Sequence, residues 1–179
     1  PEINTPEDVI KAQINSAKKY VKKEMRWVVV AHTFVGSSAK ETKGERPISF
    51  VGGVENVSHQ VFEGADYVAL GHIHKPQKIK KDTIRYAGAP LAFGFDEKEE
   101  KSMTLIEMGK KGDVIIETIP FKPKRSVRTI EGSLSDLLKE KDETDDFIEI
   151  ILTDDSTQLD AMKKLKGVYK NAVSLTYKK

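Results

Sequence analysis

The chain contains no cysteine. Disulfides, thiolate metal sites and a cysteine nucleophile are therefore excluded, and the composition is compatible with a reducing cytoplasm. Histidine is scarce, with 4 in 179 residues, and tryptophan occurs once. An excess of charge is missing too: 30 Lys and Arg face 28 Asp and Glu, a formal charge of +2. Such an even balance does not by itself indicate a polyanionic partner. No apolar stretch approaches the length of a bilayer crossing and no signal-peptide pattern is present, which argues against membrane insertion and secretion. Internal repeats and low-complexity tracts are also lacking. The first residue is Pro1 rather than Met, which reads as a processed, excised or partly represented product.

What is present suits a globular protein, with 38% hydrophobic residues and a length that allows a substantial core. Thr5-Pro6-Glu7-Asp8 predicts a helix start, with Thr5 as N-cap and Pro6 at the first helical position. Ile10, Ile14, Ala17 and Val21 continue it at helical spacing, leaving the lysines between them a solvated face. The β-branched run Trp27 to Ala31 predicts a strand buried on both faces. Further strands are expected over 67–70, 84–87, 102–108 and 114–121, the last two joined as a hairpin through Lys110-Lys111-Gly112-Asp113. The polar segment 36–47 reads as an exposed loop. Two prolines among basic residues, Pro120 to Arg125, place a domain boundary there, giving 1–121 and 122–179. The second unit reads as βαβαβ: strand 127–130, helix 134–139, strand 147–152, helix 158–165, strand 172–177. Its acidic stretch Glu140 to Asp146 reads as a solvated connection rather than a metal site.

Three of the four histidines stand just past strand-like apolar runs. His32 follows Val28-Val29-Val30-Ala31, and His72 and His74 follow Tyr67-Val68-Ala69-Leu70. Ligands of α/β sheets collect at the carboxyl ends of strands. An extended backbone after Gly71 would put His72 and His74 on one side and turn Ile73 toward the core. Any one of these histidines alone would pass for a hydrogen-bonded boundary residue; the trio, with a His-x-His pair in it, points to a metal site. His59 lies among polar residues and reads as a surface histidine. Three neutral imidazoles supply no bridging anion, so by themselves they do not assemble two close divalent ions. Asp66 and Asp82 are near in sequence but lack a ligand-like spacing, so the site is incomplete in this chain.

Ala31-His32-Thr33-Phe34-Val35, then Asp66 through Gly71-His72-Ile73-His74-Lys75-Pro76-Gln77, then Tyr86-Ala87-Gly88-Ala89-Pro90-Leu91-Ala92-Phe93, in this order and spacing, resemble the SbcD family of bacterial DNA-repair nuclease subunits. That family lies within the calcineurin-like metallophosphoesterases. Gly-His-x-His alone marks the broad superfamily; the following Lys-Pro-Gln and the Gly-x-Pro-Leu segment are more particular. The resemblance covers nearly the whole chain and extends through Asp145 to Asp154. It implies the latter half of a layered metallophosphoesterase β-sandwich followed by a small βαβαβ capping domain, a mixed α/β fold. It further implies that His32 and His72 ligate one manganese ion and His74 the other, in a two-ion site hydrolysing DNA phosphodiesters. An SbcC-type ATPase partner, a homodimer in the parent complex and a cytoplasmic location follow from the same likeness. The family's Asp-x-His, Gly-Asp and Gly-Asn-His-Asp motifs are absent, as are the catalytic residues they carry, so this chain alone is expected to be inactive. Thr33 stands where many relatives have Gln, and Ala87 and Ala89 where Ser is common.

In this family the capping domain helps position DNA, which makes Lys122, Lys124, Arg125 and Arg128 candidates for phosphate contacts. A soluble basic linker accounts for them equally. Pro90, Leu91 and Phe93 fit either a DNA-facing turn or an apolar corner packed on the core. Two other functions are compatible with these residues: a binding module without catalysis, and a phosphoesterase acting on a substrate other than DNA.

Overall fold

The computed structural model describes residues 3–36, 39–40 and 56–178. Most of the segment 36–47, read above as a loop, lies outside the described residues. The chain is mixed α/β, with several small sheets and few helices, and divides into two compact units. One comprises Pro1–Leu91 and Asp96–Phe121; the other comprises Ala92–Phe95 and Lys122–Lys179. No helix among the described residues is long and apolar enough to cross a membrane.

In the first unit, helix α1 (Pro6–Lys18) begins where its capping signals lie. The Thr5 hydroxyl accepts from the Asp8 N–H at 3.1 Å while the Asp8 carboxylate accepts from the Thr5 N–H at 3.0 Å, so two otherwise unpaired donors are satisfied reciprocally. Ile14 anchors the helix in the core. Strands β1 (Val28–His32), β4 (Tyr67–Gly71), β6 (Lys81–Tyr86) and β5 (Gln77–Ile79) form a sheet in the order β1-β4-β6-β5. The β1, β4 and β6 strands run parallel, and β5 folds back antiparallel on β6. Two short strands, β2 (Phe34–Val35) and β3 (Asn56–Val57), pair beside it, and a 3-10 turn over His59–Phe62 follows. Neither they nor β5 stand out in the sequence, because runs of two or three residues carry no readable period. The Tyr86 hydroxyl ties β6 to β2: it accepts from the Val35 N–H at 2.7 Å and donates to the Thr33 carbonyl at 2.8 Å.

One expectation fails at β1. Val28 and Val30 are exposed, Val30 to 82%, so the strand alternates instead of being buried on both faces. It stands at the edge of its sheet, and no described element covers the face carrying Val28 and Val30. The apolar run correctly signals a strand, but burial depends on what packs against it.

The hairpin of β7 (Ser102–Met108) and β8 (Val114–Pro120) turns through Gly112 at φ +85°, a conformation glycine adopts without strain. Asp66 clasps it to the main sheet. One carboxylate oxygen accepts from the Trp27 N–H at 2.7 Å and the other from the Gly112 N–H at 2.9 Å, which gives this aspartate a structural task.

The second unit is a three-stranded parallel sheet in the order β11-β10-β9, from β9 (Val127–Gly132), β10 (Phe147–Leu152) and β11 (Ala172–Tyr177). In β10, Ile148, Ile150 and Leu152 are fully buried and alternate with partly exposed neighbours. Burial on this scale contributes about 1.5–3 kcal/mol per side chain. The helices are shorter than the sequence suggests: α2 spans Leu134–Leu137 and α3 spans Ala161–Leu165. Residue 158 is held outside α3 because its N–H donates to the Tyr177 hydroxyl at 2.7 Å, and Asp160 has φ +54°. Together these delay the helix start to Ala161.

Candidate metal centre

The first unit delivers two of the singled-out histidines to one place through strand register. In the parallel pairing of β1 and β4, His32 lies directly opposite Gly71, so the last residue of β1 sits beside the residue that launches His72. The His32 and His72 rings approach to 5.6 Å between centroids, edge to face at 72°. Gly71 makes room for this. A methyl group on its α-carbon would stand 2.9 Å from His32 Nδ1, closer than such contacts occur, so the glycine serves close approach of the imidazole.

The route by which His72 reaches its place differs from the expectation. Strand β4 ends at Gly71, and His72 has φ +108°. An imidazole-bearing residue is rarely found there, at a cost of about 1–3 kcal/mol. The alternation of an extended chain thus does not apply across 72–74, although Ile73 does turn into the core, where it is 2% exposed.

His74 is fixed from two sides. Its carbonyl accepts the Ala89 N–H at 3.0 Å, and Gly88, at φ +81°, passes so close that a β-carbon would meet that carbonyl oxygen at 2.8 Å. Its ring nitrogen Nδ1 lies 3.0 Å from Glu97 Oε1. The Glu97 side chain is fully buried and forms an ion pair with Lys101, itself almost buried. Burial pushes the Glu97 carboxyl up, but the hydrogen bonds from Lys101 and then His74 outweigh it and hold it below its ordinary value. An ionised carboxylate only accepts, so this contact is a hydrogen bond in the ring form that carries a hydrogen on Nδ1. Glu97 and Lys101 escape sequence reading because a Glu and a Lys four residues apart look like an ordinary surface pair.

The residues present fit part of a metal site. Paired imidazoles at strand ends suit a divalent transition ion, and a carboxylate behind a histidine is the usual support of such a ligand. Among the described residues, no group of three or more His, Cys, Asp or Glu stands close enough to hold an ion. Asp66 is engaged in the clasp described above, and Asp82 is exposed and paired with Lys78 at 2.8 Å. His59 begins the 3-10 turn, two residues past the short strand β3.

In the second unit, Lys122, Lys124 and Arg125 are exposed. Arg125 also lies over the Phe147 ring at 5.8 Å. Arg128 differs: its guanidinium is bound to Asp142 at 2.7 Å and to Asp146 at 3.2 Å. The acidic stretch is thereby stitched to the sheet, more than a solvated connection. Leu91 and Phe93 are exposed, Phe93 to 70%, so neither makes the buried apolar corner that was one reading of this segment.

Residues 123–179 match the SbcD C-terminal domain family, described as type 5 capsule protein repressor C-terminal domain. Over 153 residues the chain is also 33% identical to the SbcD subunit of the nuclease SbcCD from Staphylococcus saprophyticus, an alignment covering 83% of this chain and 40% of that protein. The chain thus spans less than half the length of this curated SbcD relative. The family match covers the βαβαβ unit read from the sequence, and the alignment with the SbcD subunit extends the likeness over most of the chain.

Proposed function

We propose that this chain is part of a metal-dependent DNA nuclease of the SbcD type, with 1–121 forming the latter half of its metallophosphoesterase domain and 122–179 its capping domain. The observation that carries the reading is the meeting of His32 and His72, 5.6 Å apart at the ends of two paired parallel strands, with His72 held at an unfavourable φ. Strain of that kind persists where the surrounding fold holds a residue for a task. His32 and His72 would hold one divalent cation and His74 a second, manganese being the ion the family likeness suggests. Bound cations would clamp the scissile phosphate, lower the pKa of an attacking water and neutralise the leaving oxygen. The chain's own residues supply neutral nitrogen ligands and their orientation, while bridging carboxylates must come from elsewhere. On this reading the 179 residues alone do not turn over DNA, and the parent protein works as a homodimer with an SbcC-type ATPase in cytoplasmic DNA repair and recombination.

The test is a manganese-supported cleavage assay on duplex DNA with the parent protein and its His72→Ala and His74→Ala variants. Cleavage should fall by at least about a hundredfold in each, about 2.7 kcal/mol or more of transition-state stabilisation. Unchanged cleavage would contradict the assignment. Comparison with small phosphodiesters separates a DNA nuclease from a phosphoesterase of other substrates.

The exposed Lys122, Lys124 and Arg125 favour a second reading, a binding module that acts through charge alone. Metal-independent DNA affinity falling steeply with salt would support it, each phosphate contact adding about 0.9 to the logarithmic salt slope. Arg128, already neutralised by Asp142 and Asp146, should contribute little to that slope.

A further inference from the structure

Among the described acidic and basic side chains of the first unit, Glu97 and Lys101 are unusual in being buried together, at 4% and 6% exposure. Removing two charges from water costs several kcal/mol per ion, and replacing such a pair by apolar side chains is often neutral or stabilising. Apolar residues would fill the space at less cost, so the pair asks for a specific role. One feature of its surroundings accounts for a carboxylate here: His74 Nδ1, 3.0 Å from Glu97 Oε1. Lys101 Nζ meets the other carboxylate oxygen, Oε2, and also lies 3.5 Å from the His74 carbonyl. Ala89 holds that same carbonyl at 3.0 Å. Residue 74 is thus constrained at backbone and ring together.

We propose that Glu97, held in place by its ion pair with Lys101, is the positioning residue of His74: it accepts the Nδ1 hydrogen, so the ring stays in the tautomer whose lone pair is on Nε2, the nitrogen that meets a cation. This rests on the metal reading above and deepens it. Neutral imidazole in water favours the hydrogen on Nε2, the wrong nitrogen for that role. A carboxylate behind the ring reverses the preference, fixes ring orientation and raises ligand basicity, and loss of such support usually weakens metal affinity about tenfold to hundredfold. Glu97 touches neither substrate nor cation in this scheme; it acts through His74.

The experiment is long-range nitrogen–proton NMR of the four histidine rings in this chain, first metal-free and then with Mn2+. Glu97→Ala would leave Lys101 buried without its partner and could fail to fold, so the variant is the pair Glu97→Leu with Lys101→Met, which removes both charges and keeps the packing. Glu97→Asp serves as the conservative control. The unmodified chain should show His74 with its hydrogen on Nδ1. In the paired variant, with an otherwise superimposable amide spectrum, His74 should shift mainly to the Nε2–H form, and the Mn2+ concentration that half-broadens its ring should rise at least about tenfold. Glu97→Asp should restore part of the Nδ1–H population. A His74 that carries Nε2–H in the unmodified chain, or keeps Nδ1–H in the paired variant, overturns the positioning role whatever the metal does. A tautomer that follows Glu97 while Mn2+ broadens none of the rings upholds the positioning role and overturns the metal reading instead.

Discussion

At the scale of single residues, His72 holds the most telling conformation. Its φ of +108° is glycine territory, yet the residue is an imidazole whose ring meets His32. Replacement by glycine should remove a strain of about 1–3 kcal/mol and add back about 0.5–1 kcal/mol of chain entropy. His72→Gly is therefore expected to leave the denaturation midpoint unchanged or higher, while Mn2+ binding at His32 is lost; His72→Ala keeps the strain and should show no such gain. A marked fall in stability for His72→Gly, measured by urea unfolding, would mean that residue 72 serves the fold. A second expectation concerns Tyr169. Burial first, and then its hydrogen bond to Glu140 at 2.8 Å, raise its phenol above the ordinary value of 10.0. A folded pKa above the unfolded one gives stability that is complete below pH 10.0 and is lost as pH rises toward the folded value. Alkaline unfolding of the second unit should accordingly be shallower in Tyr169→Phe, and an identical slope would contradict the role of this phenol. Of these details the sequence shows the residue types and their order. It does not show that Gly71 serves the His32 ring rather than a bend, or that Glu97 is buried, since both depend on contacts made across 23 to 39 positions.

At the scale of elements, legibility follows period and length. Strands β7, β10 and β11 match their expected spans to the residue, because each alternates or carries a β-branched run bounded by turn residues. The start of α1 is equally plain, since Thr5, Pro6 and Asp8 each act locally. Helices α2 and α3 are over-long in the sequence reading because what ends or delays them is tertiary. The Tyr169 hydroxyl donates to the carbonyl of Leu137, the last residue of α2, at 3.2 Å, and Tyr177 pins residue 158. The short β2, β3 and β5 strands carry no pattern of their own and exist through pairing. The convergence of His32 on His72 also belongs to this scale: both lie past apolar runs in the sequence, but only the parallel register of β1 against β4 brings them together.

At the scale of the whole molecule, exposed apolar surface is the feature that residues and elements do not explain by themselves. Val28 and Val30 on β1, and Met103, Leu105 and Ile115 on the β7–β8 hairpin, are exposed in the first unit. Apolar faces of this kind associate in water. The chain at tens of micromolar should therefore self-associate in light scattering, and Val30→Lys should shift it toward monomer; a monodisperse monomer without the substitution would refute this. The proposed centre depends on His32 and His72 holding one cation and His74 a second. The most direct test is a Mn2+ titration of this chain followed at its four histidine rings, with His59 as internal reference. His32, His72 and His74 should broaden together at the lowest Mn2+ concentrations, recover on chelation and leave His59 sharp. Equal broadening of all four, or broadening of His59 first, would contradict the metal centre.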